Sequence, residues 1–214
     1  MVIDTITHKQ WVSVDRCTLD TVNTTSEDFV EAFADKLEAL IPHSFIAKQQ
    51  SSYFNECKVG LKPGEVLVQA NFSENYSFVL QDAAQGYHWN NSQATIHPFV
   101  VYYRHTGEEL HLSFVVISES LHHDTIAVFL FQKTLLSYLK EVLPCKPKKI
   151  IYFSDGAASQ YKNRKNFLNP CCHKSDFGIN AEWHFSATSH GKGACLAAKA
   201  SLQKAFDDQI MTPL

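Results

Sequence analysis

The run Lys149-Ile150-Ile151-Tyr152-Phe153-Ser154-Asp155-Gly156 is the stretch on which the fold prediction depends. Its centre is continuously apolar and lies between a lysine and an Asp-Gly turn, a pattern typical of a strand buried on both faces of a sheet. In open α/β sheets, ligands bind beyond the carboxyl ends of the strands. Asp155 occupies that position and is therefore a candidate metal ligand. The alternative is that Ser154-Asp155-Gly156 forms only a polar turn.

Helices are predicted on both sides of this strand along the chain. Before it, Asp124 precedes an apolar segment that predicts a helix running to about Val142, with Pro144 just beyond its end. After it, the pattern predicts a helix over 160–169, a strand over 179–186 and a last helix over 196–206. This alternation of strands and helices indicates βαβ units with parallel strands.

Further strands are predicted earlier in the chain. Alternating apolar residues predict a strand over 65–73, and a short strand over 76–80 is expected to return antiparallel to it. Two more strands are predicted over 94–104 and 110–118, where Val and Ile are frequent. Antiparallel strands followed by βαβ units predict an α/β fold with a mixed sheet and helices on both faces, the element order of a ribonuclease H-like domain.

The first sixty residues are predicted to form a separate, short helical segment. Thr25 followed by Asp28 resembles a capping box, and apolar residues recur at helical spacing as far as Ile41, where Pro42 is expected to end the helix. Residues 43–60 are predicted to be irregular. The turn Leu61-Lys62-Pro63-Gly64 marks the predicted boundary between a segment 1–60 and a core domain 61–214.

Composition and charge exclude several classes of protein. The 214 residues are 45% hydrophobic and 19% charged, which excludes a disordered or collagen-like chain. The net charge is −3, so the chain as a whole is not a basic nucleic-acid binder. The two parts of the chain differ, however. Residues 1–143 contain nine Lys and Arg against 17 Asp and Glu, whereas residues 144–214 contain ten against five. A polyanion is expected to meet the second part.

Nothing in the pattern indicates a membrane protein. No apolar run reaches the 18 or so residues that cross a bilayer, and the first residues lack the pattern of a secretory signal. We therefore expect an intracellular protein, with the nucleus among the candidate compartments. The six cysteines are expected to be free thiols.

Four stretches of the sequence resemble a family of transposon-derived proteins with a DDE-type, ribonuclease H-like transposase core. They are Asn71–Tyr76, His88–Asn90 with Gln93–Thr95, Tyr152–Gly156 with Ser159–Lys162, and Trp183–Phe185 with Ala187–Gly193. The resemblance covers residues 40 to 210 approximately. It implies Mg²⁺-dependent DNA cleavage and strand transfer, with DNA as the partner and Asp155 as the second acid of the metal site.

The sequence departs from this family at the other two acids. The family has an Asp where this chain has Asn71, whose amide oxygen can bind Mg²⁺ but adds no negative charge. Glu74 is near but is expected to point to the opposite face of the strand. The third acid is missing, because the core is incomplete near residues 193–197, where Gly193 runs almost directly into the last helix. That helix has acids only at its far end, Asp207 and Asp208.

Two groups of polar residues could assist at this site. The candidates for binding nucleic-acid phosphates are Lys162, Arg164, Lys165 and Lys192, and Lys146, Lys148 and Lys149 are predicted to flank the same edge as Asp155. The alternative is a solvated basic surface. His190 precedes the Gly191-Lys192-Gly193 turn and is a candidate contact to a phosphate or a metal-bound water, with loop hydrogen bonding as the alternative.

The region after Asp155 contains a further departure from the family and residues that could form a zinc site. Pro170 is expected to interrupt the helix over 160–169 and its continuation. Cysteines and histidines between 171 and 195 make a zinc site conceivable, but they lack the Cys-x₂-Cys spacing of a zinc knuckle. The candidates are Cys171, Cys172, His173, His184, His190 and Cys195.

These observations predict a degenerate transposase core that binds Mg²⁺ weakly and is catalytically impaired. Two alternatives belong to other classes. The first is a non-catalytic module that binds nucleic acid or protein, and the second is a transposon relic without a selected function.

Overall fold

The structure is a computed structural model that describes residues 4–13, 15–73, 75–77, 92–186 and 193–210, except the side chains of 203 and 206–210. The chain divides into two compact units, Met1–Lys48 and Gln49–Leu214. This division lies earlier in the chain than the boundary expected at residues 60/61. The two units are described separately below.

The first unit begins with a β-hairpin, which the sequence interpretation missed. Strands β1 (Thr5–Ser13) and β2 (Cys17–Thr25) pair antiparallel along their whole length, with Thr5 opposite Thr25 and Ser13 opposite Cys17. The prediction of a purely helical segment over 1–60 is therefore wrong for this part. A signal was present, because five of the nine residues of β2 are Thr or Val, which favour strands.

Helix α1 (Ser26–Val59) begins as expected and continues beyond its expected end. The Thr25 hydroxyl oxygen accepts a hydrogen bond from the Asp28 backbone N–H at 3.1 Å, as in a capping box. Pro42 lies inside the helix rather than at its end. Proline removes one backbone donor, but the residues after it still form helix. In the second unit, Phe54 and Cys57 of this helix pack against the sheet, and such packing stabilises a helix more than local propensity does.

The second unit contains the mixed sheet that the sequence predicts. Its central strands lie in the order β6-β5-β3-β7-β8, and a short strand β4 also pairs with β5. The β3–β5 and β5–β6 pairs are antiparallel, whereas the β3–β7 and β7–β8 pairs are parallel. The strands are β3 (Glu65–Ala70), β4 (Tyr76–Ser77), β5 (Gln93–His105), β6 (Glu108–Ser118), β7 (Lys149–Ser154) and β8 (Asn180–Phe185). The expected return over 76–80 thus pairs with β5 and not with β3, and residues 78–80 lie outside the described residues.

Helices cover both faces of this sheet. The other helices are α2 (Thr125–Val142), α3 (Arg164–Phe177) and α4 (Gly193–Ile210). One core layer joins Val68 of β3 to Leu135 of α2. The opposite layer joins Leu67 of β3 to Phe54 of α1 and Cys195 of α4. Alternate residues of one strand therefore face different helices. Within the described residues, none of the four helices combines the length and hydropathy needed to cross a membrane.

Helix α3 passes through Pro170, so the expectation that this proline interrupts the helix is wrong. Asn163 caps the start by accepting the Asn166 N–H at 3.0 Å, and Gly178 ends the helix in a left-handed conformation. Asn169, just before the proline, donates to Gln132 of α2 at 2.5 Å, and His173 beyond it is fully buried. Tertiary contacts on both sides of the proline therefore hold the helix together.

We expect Pro170→Ala to stabilise the fold by up to about 3 kcal/mol, because it restores the backbone hydrogen bond that proline removes. Urea unfolding of the full chain measures the change, and Pro144→Ala, beyond the end of α2, is the matched control with little expected effect. A neutral or destabilising Pro170→Ala would show that the helix has already adapted to the missing bond.

Candidate functional site

The parallel pairing of β3 and β7 brings the two predicted metal positions to one edge of the sheet. The last paired residues are Gln69 and Phe153, and Asn71 and Asp155 each lie two residues further along. The alternation of the two strands also places both residues on the face where Leu67 packs, which is the face covered by α4. The register thus places the first and second acid positions at the same edge of the sheet.

Asp155 combines a turn with a remaining acceptor. Its Oδ1 accepts the backbone N–H of Ala157 at 3.0 Å, which is the polar turn considered as the alternative. Its second carboxylate oxygen has no hydrogen bond within the described part of the chain. The residue is half-buried. Asp155 therefore shapes the loop after β7.

Asn71 lines a cavity of about 310 Å³ between the end of β3 and the start of α4. Asn71 is only 8% exposed, and its backbone N–H donates to the Pro98 carbonyl oxygen at 3.4 Å. The cavity lining consists of Asn71, Phe72, Ser73, Pro98, Cys195, Leu196 and Lys199. The last helix, from which the resemblance expects the third acid, thus contributes a lysine to this cavity.

The donors that the described residues supply at this edge do not by themselves fit two divalent cations. Such a centre needs several carboxylates to offset the charge of the metal ions. Among the described residues, no group of three His, Cys, Asp or Glu side chains comes close enough to hold a metal ion. Glu74 and the side chains of Asp207 and Asp208 lie outside the described residues. Helix α4 is continuous over the residues 193–197 where the core is predicted to be incomplete, and the preceding residues 187–192 also lie outside the description.

A model for a domain of unknown function (DUF8701) matches residues 50–214, which is most of the chain. The chain belongs to the DUF8701 family. A second model, for another domain of unknown function (DUF8700), matches residues 1–41. The two matches fall on either side of the division between the two compact units. No curated protein matches the chain.

The cysteines and histidines considered for zinc are dispersed in the DUF8701 domain. Cys171 and Cys172 are exposed on α3, and Cys195 is buried on the opposite face of the sheet, where burial raises its pKa to about 12. His173 is a core residue, since its Nδ1 lies 2.6 Å from the Ile179 carbonyl oxygen and burial lowers its pKa. His190, also a candidate contact to phosphate, lies outside the described residues.

The basic residues of the DUF8701 domain lie at two different edges. Lys162, Arg164 and Lys165 are exposed just after the Asp155 turn and form no ion pair with described residues. A Cβ placed on Gly156 would lie 3.8 Å from the Lys162 side chain, so this lysine is beside the turn. Lys192 lies outside the described residues.

The prediction that Lys146, Lys148 and Lys149 flank the edge carrying Asp155 is wrong. They lie at the beginning of β7, and its six residues span about 20 Å. Lys149 is also paired with Glu182 at 3.0 Å. Residues that are close in sequence can therefore lie at opposite ends of one strand.

Phe72, from the first of the stretches that carry the resemblance, contributes to a buried network beside the site. Its ring lies within 6 Å of four aromatic rings. They are His97, His123, Phe131 and Tyr161. His97 Nε2 lies 2.7 Å from the Tyr161 hydroxyl, and both side chains are fully buried. The sequence interpretation missed the role of His97, which only the contact between β5 and the loop after β7 reveals.

Residues of the other stretches that carry the resemblance are also joined to their surroundings by hydrogen bonds. Asn75 Oδ1 accepts from His123 Nε2 at 2.7 Å and lies 2.9 Å from the Thr95 hydroxyl. Trp183 Nε1 donates to the Ser154 hydroxyl at 2.9 Å. These motif residues therefore hold the loops after β3 and β7 in place around Asn71 and Asp155.

Burial of neutral His97 makes the stability of the fold depend on pH. Burial lowers the pKa of His97 to about 3, whereas a histidine in the unfolded chain titrates near 6.5. Between these values the unfolded chain binds more protons, so the stabilisation is complete above about pH 6.5 and is lost as the pH falls towards 3.

We expect the burial of neutral His97 to make the free energy of unfolding lower at pH 4 than at pH 8, by on the order of 3 kcal/mol. Urea unfolding across that range measures the slope, and His97→Phe should flatten it. His105→Gln, at the exposed end of the same strand, is the control. An unchanged slope in His97→Phe would contradict the assignment.

Proposed function

We propose that the DUF8701 domain is a ribonuclease H-like core of DDE-transposase descent whose metal centre is degenerate. Its ancestral reaction, Mg²⁺-dependent DNA cleavage and strand transfer, is then absent or very weak. One observation carries the proposal: Asn71 and Asp155 follow adjacent parallel strands at one edge, and the last helix covers the same face.

The order of the strands supports the ancestry. Three antiparallel strands, β3, β5 and β6, come first, and the parallel strands β7 and β8 follow through helical connections. The resemblance implies acids from the first strand, from the end of the fourth and from the last helix. On this proposal, those positions correspond to the end of β3, the end of β7 and α4.

The side chains at these positions support the loss of activity. Asn71 stands where an Asp is expected, and the cavity next to it is lined by Lys199. The described residues contain no group of three His, Cys, Asp or Glu side chains that could hold a metal ion. Without a second negative charge, the site would bind metal ions only weakly. The reaction would then lack the stabilisation that bound metal ions give to the transition state.

We expect the full chain to show no nicking or strand transfer of a DNA duplex in Mg²⁺ or Mn²⁺ above the level of Asp155→Ala. Turnover by the unmodified chain that Asp155→Ala abolishes would contradict the proposed impairment.

We expect Asn71→Asp to bind Mn²⁺ at least about tenfold more tightly than the unmodified chain, because two adjacent carboxylates then face the metal ion. Calorimetry with Mn²⁺ measures this affinity. Adding Asp155→Ala should remove the gain. The control is Asn180→Asp, which adds the same charge at the first residue of β8, at the opposite edge of the sheet. Equal gains in Asn71→Asp and Asn180→Asp would show that the two positions do not share a site.

A second candidate function is the binding of nucleic acid without catalysis. The observation that favours it is the exposed group Lys162, Arg164 and Lys165, which forms no ion pair within the described residues. The ammonium group of Lys162 lies 5.8 Å from the centre of the Phe185 ring. Each contact to a phosphate releases counterions, so binding of this kind weakens steeply as salt is added.

We expect the triple change of these residues to Ala to weaken duplex DNA binding and to lower the slope of log K against log salt by about one per lost contact. Fluorescence anisotropy over a salt series measures both quantities. Replacing Lys146, Lys148 and Lys174 by Ala removes the same charge elsewhere. If both triple variants bind DNA equally well, this surface is not the interface.

A further inference from the structure

Among the residues that the structure describes, the first unit has no interior of its own. Every residue of 4–13 and 15–48 is exposed or half-buried. The length of the unit is only slightly above the roughly 40 residues below which a fold usually needs disulfides, metal ions or a second chain. Cys17 is its only cysteine, so no disulfide closes within the unit. The first unit therefore needs a further surface against which to bury its apolar side chains.

Helix α1 presents apolar side chains to solvent along its first half. They recur at spacings of three and four residues, which places them on one face of the helix. Each of them is between 37% and 66% exposed. We call this row the apolar stripe, and it consists of Val30, Phe33, Leu37, Leu40, Ile41 and Phe45. Contiguous apolar patches on a protein surface mark interaction sites.

The β-hairpin contacts the helix just before the stripe. The centre of the Phe29 ring lies 4.9 Å from that of the His8 ring of β1 and 6.2 Å from that of the Phe33 ring. Phe29 is half-buried, whereas Phe33, one turn further along, is 52% exposed. The hairpin thus shields Phe29 and leaves the stripe open to a partner.

Charged residues of opposite sign border the stripe on its two sides. Glu31 and Glu38 lie on one side, and Lys36 lies on the other. At about 100° per residue, each border is about 100° to 120° around the helix from Leu37, in the middle of the stripe. Two parallel copies related by a two-fold axis bring unlike borders together, whereas an antiparallel pair brings like borders together. Charges at such positions set the partner and the orientation of paired helices. The charge pattern therefore fits a second, parallel copy of the same helix.

The area of the stripe is sufficient for such a pair. A large apolar side chain offers on the order of 150 Å², so six that are about half exposed present about 450 Å² per chain. With the polar residues at the border, two copies then bury about 1,000 Å², which is the minimum expected of a specific interface.

We infer that two copies of this chain associate through their apolar stripes, with the two α1 helices parallel. Leu37 of one copy then faces the partner's Leu37 close to the two-fold axis, and Lys36 comes next to the partner's Glu38. The pair supplies the buried surface that the first unit lacks by itself, through the isologous interface that is commonest among homodimers. The inference is independent of the proposed transposase descent, because it rests on the first unit alone.

Sedimentation equilibrium of the full chain, at concentrations from about 1 to about 100 µM, tests this pairing. We expect the apparent mass to rise from 24.2 kDa towards twice that value. Leu37→Glu places two carboxylates against each other and should weaken association at least about tenfold. The matched control is Ile126→Glu, which adds the same charge at an exposed apolar position of α2. It should change the dissociation constant less than about twofold.

A mixing experiment tests the parallel arrangement. An equal mixture of Leu37→Glu and Leu37→Lys chains should pair more tightly than either variant alone, because position 37 then meets the opposite charge across the axis. Recovery in the mixture separates loss of pairing from damage to the fold, since each chain still carries its own substitution. A chain that stays at 24.2 kDa throughout, or equal effects of Leu37→Glu and Ile126→Glu, would overturn the inference. A mixture that pairs no better than the single variants would contradict the parallel arrangement.

Discussion

The parallel pairing of β3 with β7 is the constraint on which the candidate site depends. Two strands that are distant in sequence are held in one register, so their carboxyl ends stop side by side. Asn71 and Asp155 come to the same edge of the sheet only through this pairing. The helix that follows the sheet then covers the same face, since the odd-numbered residues of both strands pack against α1 and α4. Strand register therefore determines which side chains a ligand meets.

A second level of organisation lies just outside the site. Phe72, His97 and Tyr161 form a buried group between the loops after β3 and β7. Their polar atoms are taken out of water, and the bond from His97 to Tyr161 compensates part of that cost. Several residues that look like functional motifs in the sequence thus act as supports. In this chain these loops are supported although position 71 carries an amide and not a carboxylate.

The sequence predicts best those elements whose signals are local. The strand over 149–154 has a continuous apolar run, and α2 has an Asp cap and an apolar stripe, so both were predicted with nearly correct ends. The hairpin at 5–25 was missed because its strands are mostly polar and exposed. The effects of Pro42 and Pro170 were overestimated, since both lie inside helices. For Pro170, the contacts of Asn169 and His173 that hold the helix cannot be read from neighbouring residues.

The candidate site was predictable only in part, for the same reason. Asp155 was found because it follows a strand, and Asn71 because it stands where the resembled family has an Asp. The cavity was not, because Lys199 meets Asn71 only after α4 has packed on the sheet. The basic residues show the converse error, since Lys149 is close to Asp155 in sequence but lies at the other end of the strand.

The burial of Cys195 has a consequence for how the protein can be studied. Its thiol lies between α4 and the sheet, 3.4 Å from the Gln69 carbonyl oxygen, and its high pKa leaves almost no reactive thiolate at neutral pH. Exposed thiols such as Cys145 and Cys171 have no such protection. Modification of Cys195 therefore requires α4 to leave the sheet, and its rate under native conditions measures how often the wall of the cavity opens.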